Sequence, residues 1–343
     1  MRLLDLFCGC GGASTGYSQA GLEIAVAVDN NEAAIASHRA NHRSTEHLIM
    51  DLSNPEDLVS MFSRREFDVV HGSPPCPHFS QDNNKRDPEE GMKLIRSFEQ
   101  VVQDLEPRWW IMENVRPVLK HIDGFYPKKR VLNAADYGVP QIRHRAFCGN
   151  YPDPRPTHAS RPQTTLDGCQ LEKWISVREA LGAPCVIDTG RDWRPDGTHQ
   201  VQDGEEPSPT LSTTGGQFHL VEKEDLKLWT GGGSIHSDTN RAKLRSLDEP
   251  SFAVTATVPG RLMQPVEGLL EQPARCITAT RASGMIGRQL SPEECLILQG
   301  FPSDYWMFGN KTERYAQIGN AVAPPVAKAI GLAILEAGWE SIL

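Results

Sequence analysis

The segment that decides the fold is Arg2–Ser14, which reads RLLDLFCGCGGAS. Its first part, Arg2–Phe7, is mostly apolar and predicts a short β-strand. The glycines that follow allow a tight turn and a close approach of the backbone to a ligand, with a helix starting near Ser14. A tight turn without a ligand explains these glycines equally well. The Gly-x-Gly-Gly spacing disfavours an NAD or FAD site.

Three more strands are predicted further along, and each ends in a carboxylate. Ile24–Val28 runs into Asp29-Asn30, Leu48–Met50 runs into Asp51-Leu52, and Trp109–Met112 runs into Glu113. An acidic residue about 20 residues after a glycine turn suits a ribose diol. A lone Glu at a strand end is more typical of a solvated boundary residue.

A fifth strand-like segment, Phe67–His71, leads into the loop Gly72–Ser80, which reads GSPPCPHFS. Proline fixes φ and has no N–H, so this loop is predicted to be neither helix nor sheet. Cys76 would then lie at the carboxyl end of a strand, where open α/β sheets bind their ligands. We predict that Cys76 is a nucleophile; a buried thiol in a proline-rich turn is the alternative.

Two later segments are ambiguous when taken alone. Arg143 and Arg145 stand at alternate positions, so both are predicted to project from one face of an extended segment, a pattern typical of a solvated strand. Residues 317–325, QIGNAVAPP, predict a helix that begins with proline.

Six motifs in this order closely resemble those of the cytosine-C5 DNA methyltransferases, over nearly all of the chain except about 140 residues in the middle. The matching segments are Phe7-x-Gly9-x-Gly11, the Pro-Cys loop of Cys76, Glu113-Asn114-Val115, Gln141-x-Arg143-x-Arg145, residues 288–302, and Gly319-Asn320-Ala321-Val322.

The resemblance implies an α/β fold, a doubly wound Rossmann-like methyltransferase domain that binds S-adenosylmethionine and releases S-adenosylhomocysteine. A mostly β target-recognition domain would be inserted into it. We expect the catalytic domain at residues 1–150 and 288–343, the inserted domain at 151–287, and a DNA cleft where the two meet.

The resemblance also implies roles for individual residues. Cys76, Glu113, Arg143 and Arg145 would be catalytic, with Cys76 adding to C6 of a flipped-out cytosine. The expected cofactor contacts are Phe7, Gly9, Gly11, Asp29, Asn30, Asp51, Leu52, Pro75, Leu94, Asn320 and Val322. The expected DNA contacts are Ser80, Gln81 and Thr210.

The middle of the chain carries three weakly similar segments that start at Pro207, Pro250 and Pro273. Each reads as a short strand rich in β-branched residues, which predicts a small β domain. Its polar candidates for reading base edges are Arg191, Arg194, Gln217, His236, Arg241, Arg261 and Arg281.

Composition is compatible with this interpretation. The 343 residues carry 35 basic and 44 acidic side chains, a net charge of −9. This argues mildly against a nucleic-acid partner, although affinity for DNA depends on local phosphate contacts. The 8 cysteines form no Cys-x-x-Cys pair, which predicts free thiols in a reducing compartment and no structural metal. With no signal peptide or membrane-length apolar stretch, we expect a cytoplasmic protein of a prokaryotic cell or phage-infected host. The resemblance implies a monomer and is compatible with a separately acting restriction endonuclease.

The chain departs from the family between Glu113 and Gln141, which are only about 28 positions apart. We expect much of a helix to be missing there and the sheet to be trimmed at one edge. Two other functions stay open: a methyltransferase of the same family acting on transfer RNA, whose Cys-Phe-Thr signature is absent here, and a non-catalytic DNA-binding module.

Overall fold

The computed structural model describes residues 1–75, 79, 87–122, 124–182 and 288–340, and seven short strands between residues 186 and 263. The chain divides into two compact units. The larger comprises Met1–Ile175, Pro209–Gly215 and Pro292–Leu343, and the smaller comprises Ser176–Ser208 and Gly216–Ser291. The larger unit thus extends past residue 150, where the sequence placed the first boundary, and resumes at Pro292.

The larger unit is built on a seven-stranded sheet with the order β3-β2-β1-β4-β5-β8-β6. Neighbouring strands among β1–β5 are parallel, whereas β8 runs antiparallel between β5 and β6. The strands are β1 Arg2–Leu6, β2 Glu23–Asp29, β3 Glu46–Ile49, β4 Val69–Gly72, β5 Trp109–Asn114, β6 Lys128–Asn133, β7 Gln141–Ile142 and β8 His144–Asn150. The strand order reverses between β1 and β4, the arrangement of a doubly wound sheet. This confirms the predicted fold class.

Helices connect these strands and complete the unit from its C-terminal segment. They are α1 Gly12–Ala20, α2 Glu32–Asn41, α3 Glu56–Ser60, α4 Pro88–Leu105, α6 Pro292–Gln299, α7 Lys311–Asn320 and α8 Pro324–Glu340, with 3₁₀ turns at Arg116–Lys120 and Ala134–Tyr137. Side-chain caps fix the starts of several helices. Asp87 accepts hydrogen bonds from two backbone N–H groups at the start of α4, and Asn310 forms a capping box with Glu313.

Two hydrophobic clusters cover the two faces of the sheet. One packs α4 on the sheet through Phe98, and the other packs α1 and α8 on it through residues such as Tyr17 and Ile330. Leu3 of β1 belongs to the second cluster, so the C-terminal helix packs beside the N-terminal strand. Small residues let α1 and α8 approach closely: a Cβ on Gly16 would lie 2.1 Å from the carbonyl oxygen of Pro324.

The expectation of a trimmed sheet edge is wrong. A 3₁₀ turn does stand where a longer helix was expected, but β6 pairs with β8 over its whole length and closes the edge. The strand begins with a basic run, Lys128–Arg130. In the structure Lys128 and Arg130 both pair with Asp153, while Lys129 Nζ donates to the carbonyl of Ile122. The run is held as a strand by its antiparallel pairing with β8, and these side-chain contacts add to that pairing.

The remaining strands are short. The larger unit also contains β9 His158–Ala159, β10 Gln163–Thr164 and β11 Gln170–Lys173. After helix α5 (Val177–Leu181) come β12 Val186–Asp188, β13 Val201–Asp203, β14 Ser208–Pro209, β15 His219–Val221, β16 Lys227–Thr230, β17 Lys243–Ser246, β18 Leu262–Met263 and β19 Arg288–Gln289. Within the smaller unit these strands form antiparallel sheets with the orders β13-β12-β15-β19 and β17-β16-β18.

The described part of the smaller unit is therefore mostly β. The repeats starting at Pro250 and Pro273, Thr210 and all seven polar base-reading candidates lie outside the described residues.

One helical stretch, Lys311–Gly338, contains an 18-residue window apolar enough to cross a membrane, with a mean hydropathy of 1.5. The expectation that no stretch approaches that length was therefore too strong. The window is 67% buried, as in a core helix, and the stretch comprises α7 and α8 with a break at Ala321.

Candidate active site

The candidate site lies at the carboxyl ends of β1, β2, β4 and β5, around the point where the strand order reverses. Open α/β sheets bind ligands in this crevice because the loops leave in opposite directions on either side of it. Four of the residues singled out in the sequence come directly from these strand ends: Phe7, Asp29, Pro75 and Glu113.

The glycine turn after β1 has open space beside Gly9 and is tightly packed at Gly12. Phe7 has a φ of 54°, which is rare for a residue with a side chain, and Gly9 and Gly11 have φ of 53° and 97°. A Cβ on Gly9 would meet no atom of the described residues within 4 Å, whereas one on Gly12 would lie 2.2 Å from the carbonyl oxygen of Val322. The turn therefore offers free space at Gly9 and is sealed at the start of α1.

Asp29 binds this turn directly. Its carboxylate accepts hydrogen bonds from the backbone N–H groups of Gly9, at 2.8 Å, and Asn31, at 2.9 Å. Burial raises the pKa of Asp29, and these backbone donors oppose that shift. The geometry places one partly buried carboxylate beside the open side of the glycine turn.

The other expected cofactor residues occupy varied environments. Leu52 and Val322 are buried, and Leu94 on α4 is half-buried. Asn30, Asp51, Pro75 and Asn320 are exposed, and Asp51 accepts a hydrogen bond from the N–H of Ser53. Exposed side chains at these positions are accessible to a ligand. Their contacts with the cofactor stay predictions.

The start of the proline-rich loop is fixed to the sheet. Ser73 Oγ donates to the carbonyl of Phe7 at 3.0 Å, and Asn114 Nδ2 donates to the carbonyl of Pro74 at 3.0 Å. A Cβ on Gly72 would lie 2.5 Å from Phe98 Cδ2. The nucleophile predicted at Cys76 follows this anchored segment, and Cys76 itself, Ser80 and Gln81 lie outside the described residues.

Four of the other described cysteines, all of them buried, are poor candidates for a nucleophile. Burial raises the pKa of Cys10, Cys148 and Cys295 to about 12, and that of Cys8 well above its usual range. Their thiols are therefore inert at neutral pH.

Glu113 and Arg145 form the central pair of the site. Arg145 Nε lies 3.4 Å from Glu113 Oε1, and the side chain of Glu113 is only 8% exposed. Burial raises the pKa of Glu113, and the positive charges of Arg145 and Arg143 and the nearby His71 partly oppose that rise. A buried carboxyl group with a raised pKa, held by a guanidinium, can carry a proton to a bound substrate.

Arg143 has different partners from Arg145, although the sequence motif predicted the same role for both. Its buried guanidinium donates from Nη2 to the carbonyls of Gly319, at 2.9 Å, and Ala321, at 3.1 Å. Gln299 Nε2 donates to the same Ala321 carbonyl at 2.8 Å. Arg143 thus anchors the last motif, which in turn seals the glycine turn at Gly12.

Sequence reasoning missed several residues that build the site. Tyr305 donates from its hydroxyl to the carbonyl of Cys10 at 2.5 Å and so covers the glycine turn. Asp5 and His71, fully buried on β1 and β4, form a pair at 3.0 Å. The one available signal was a charged residue inside each of two apolar strands, because such residues are almost never fully buried unless paired.

No group of three or more metal-ligating side chains occurs among the residues the structure describes. The donor set at the site consists of glycine backbone, carboxylates and a guanidinium. The fold and this donor set are typical of an α/β enzyme with a cofactor crevice at the switch point of its sheet, and the buried carboxyl group beside it is of the kind suited to acid–base chemistry.

The chain belongs to the C-5 cytosine-specific DNA methylases, whose family model matches residues 1–336. The chain is 37% identical to the Type II methyltransferase M.HindV of Haemophilus influenzae, covering 100% of this chain and 99% of that protein. It is 29% identical to the Type II methyltransferase M.HgiDI of Herpetosiphon aurantiacus, covering 97% and 93% of the two chains. The predicted resemblance is therefore confirmed, and the protein is a DNA (cytosine-5-)-methyltransferase.

A solved structure shares the fold. It is described as that of a DNA modification methyltransferase encoded within a prophage (E. coli) and superposes with a TM-score of 0.56 at 22% identity. The match covers 98% of this chain and 99% of the other.

Proposed function

We propose that this enzyme transfers a methyl group from S-adenosylmethionine to C5 of a cytosine flipped out of a specific duplex DNA sequence, through a covalent bond between Cys76 and C6. The observation that carries the proposal is the buried Glu113–Arg145 pair at the carboxyl end of β5, beside the anchored start of the loop that bears Cys76. Family membership supplies the reaction class, and this pair supplies the acid–base group that the reaction needs.

The residues around the glycine turn fit S-adenosylmethionine, which supplies the methyl group when bound. The free space at Gly9 admits a ligand close to the backbone, and Asp29 beside it has the carboxylate that a ribose diol prefers. We expect Phe7, Gly9, Gly11, Asp29, Asn30, Asp51, Leu52, Pro75, Leu94, Asn320 and Val322 to line this pocket.

Cytosine C5 is a weak nucleophile, so the ring must first lose its conjugation. The Cys76 thiolate adds to C6, and the electron pair of the C5–C6 double bond becomes available at C5. Glu113 holds N3 and the exocyclic amine and provides a proton as charge builds on the ring, and its raised pKa suits that task. Arg145 bonds the O2 atom of the base and keeps Glu113 oriented.

Once C5 carries the methyl group and S-adenosylhomocysteine is left, loss of the C5 proton to solvent water, return of the N3 proton to Glu113 and departure of Cys76 from C6 as a thiolate restore the ring. None of these atoms is accessible inside a duplex, so the cytosine must leave the stack. Ser80, Gln81 and Thr210 are proposed to contact the DNA, and the inserted domain to read its sequence.

The test is mass spectrometry of nucleosides from duplex DNA incubated with the protein and S-adenosylmethionine. We expect 5-methylcytosine with the wild-type protein and none with Cys76→Ala, while both bind the cofactor. Cys148→Ala, which removes a buried thiol on β8 instead, is the matched control and should still give product. Product from Cys76→Ala at the wild-type rate would contradict the nucleophile, and product on transfer RNA but not on DNA would reassign the substrate.

The setting of the enzyme is also a proposal. The curated relatives are named Type II methyltransferases, enzymes of restriction–modification systems. We propose that this protein acts as a cytoplasmic monomer and protects DNA against a restriction endonuclease that acts separately. Size-exclusion chromatography with light scattering tests the first point, since a dimer would refute it.

A further inference from the structure

A second buried ionic pair lies on the same face of the sheet as Glu113. Asp5 and His71 face each other on adjacent parallel strands, in register, and both side chains are fully buried. His71 Nδ1 lies 3.0 Å from Asp5 Oδ1, and since a carboxylate only accepts, Nδ1 donates. This orientation leaves His71 Nε2 as the buried atom with no hydrogen-bond partner among the described residues.

The alternation of side chains places His71 and Glu113 together. The ring of His71 contacts Tyr17 of α1, with ring centroids 5.4 Å apart, so it faces the α1/α8 side of the sheet. Its register partner on β5 is Ile111, which also faces that side, and Glu113 follows two residues later. His71 and Glu113 are therefore diagonal neighbours at the carboxyl ends of adjacent strands.

A chain of donors fixes the Asp5 end of this arrangement. Ser14 Oγ donates to Asp5 Oδ2 at 2.6 Å, and His38 Nε2 lies 3.0 Å from that hydroxyl. His38 Nδ1 in turn lies 2.9 Å from His47 Nε2. Burial lowers the pKa of His38 and brings that of His47 to about 4, so both rings are neutral near pH 7. The Asp5 carboxylate therefore accepts one hydrogen bond from Ser14 at Oδ2 and a second from His71 at Oδ1.

We propose that His71, held by Asp5 and diagonal to Glu113 on the same face of the sheet, is a positioning residue for Glu113 that adjusts the proton affinity of its carboxyl group during methyl transfer. This inference rests on the role proposed for Glu113. The other charged groups that face Glu113 are Arg145 and Arg143, and those that face His71 are Asp5 and Glu113 itself. Tyr17, against the ring, stays neutral because burial raises its pKa.

The sign of the effect follows from charge. A positive charge near a carboxyl group favours the carboxylate, so His71 lowers the pKa that burial has raised. Removing the imidazole should therefore raise the pKa of Glu113 further. Because Glu113 acts as a proton donor in the proposed reaction, the pH at which kcat falls should also move upward.

The experiment compares wild-type enzyme with His71→Asn, whose side-chain amide can still donate to Asp5 but cannot carry a charge. The pKa of Glu113 is read by NMR from protein labelled with ¹³C at the glutamate carboxyl groups, with the Glu113 signal assigned by its absence in Glu113→Gln. We expect His71→Asn to raise this pKa by about half a unit or more. The matched control Tyr17→Phe, which touches the same ring without changing charge, should leave it unchanged.

A second readout is the pH profile of kcat with duplex DNA. We expect the high-pH limb to shift in the same direction in His71→Asn, with KM for the cofactor unchanged. Superimposable Glu113 titrations in wild-type and His71→Asn proteins would overturn the proposal and leave His71 a packing residue. The NMR titration needs no catalysis, so a pKa shift in a protein that makes no 5-methylcytosine would uphold the coupling and refute the proposed function instead.

Discussion

Replacing Arg143 and Arg145 separately by methionine should show that the two arginines of one motif have different roles, Arg143 in stability and Arg145 in catalysis. Arg143 is 3% exposed and donates two charge-assisted hydrogen bonds to backbone carbonyls, at 2.9 and 3.1 Å. Hydrogen bonds to charged groups contribute about 1.5–3 kcal/mol each. The Ala321 carbonyl keeps a second donor, Gln299 Nε2, so its loss is the smaller of the two. We therefore expect Arg143→Met to cost about 2–4 kcal/mol of unfolding free energy.

Arg145→Met should cost much less stability. The Arg145 side chain is 19% exposed and pairs with Glu113 at 3.4 Å. Without it, Glu113 can take up a proton instead of remaining an unpaired buried anion, because burial already raises its pKa. We expect a cost of about 1 kcal/mol or less, together with a loss in kcat of at least about 100-fold.

The assays are thermal unfolding, calorimetric titration with S-adenosylmethionine, and methyl transfer to duplex DNA. Arg143→Met should lower Tm by about 4 °C or more and weaken cofactor binding, since the segment it anchors seals the glycine turn. Arg145→Met should keep both near the wild-type values. Arg143→Lys is the charge-matched control: one ammonium group cannot reproduce the planar fork, so it should resemble Arg143→Met. Equal stability losses in Arg143→Met and Arg145→Met would refute this reasoning.

Three further predictions address the same region. Glu113→Gln should abolish methyl transfer and raise Tm at pH 8. Because the pKa of Glu113 is raised in the folded state, wild-type stability falls as pH rises from the ordinary glutamate pKa to this raised pKa, so the Tm difference between variant and wild type should vanish near pH 4. An equal Tm change at every pH would contradict this reasoning. Gly72→Ala should lower Tm, because its Cβ would lie 2.5 Å from Phe98, and Gly72→Ala combined with Phe98→Leu should recover part of the loss; no recovery would show that another contact is responsible. Asp29→Asn should weaken cofactor binding about tenfold or more in calorimetry by removing a charged acceptor, and unchanged affinity would move the ribose elsewhere.

Much of the fold could be predicted because its signals are local. Apolar strands that end in glycine, proline or carboxylate place β1, β2, β4 and β5 within a few residues of their observed bounds. The Glu113–Arg145 pair also follows from motif order, once the chain is assigned to its family. The edge strand β6 could not be predicted, because its basic residues carry no strand pattern of their own and are held by backbone pairing with β8.

By itself, the sequence determined the reaction class and pointed to the residue types proposed to perform it: a thiol in a proline-rich loop, a carboxyl group at a strand end and a glycine turn. These are properties of short segments, and short segments are what a sequence shows directly. Only the tertiary structure decided which buried charged or polar groups bind each other. It bonded Arg143 to the backbone carbonyls of the last motif, apart from Arg145, and it joined Asp5 to His71. Those pairings depend on strand order and register, which bring residues 66 positions apart into contact.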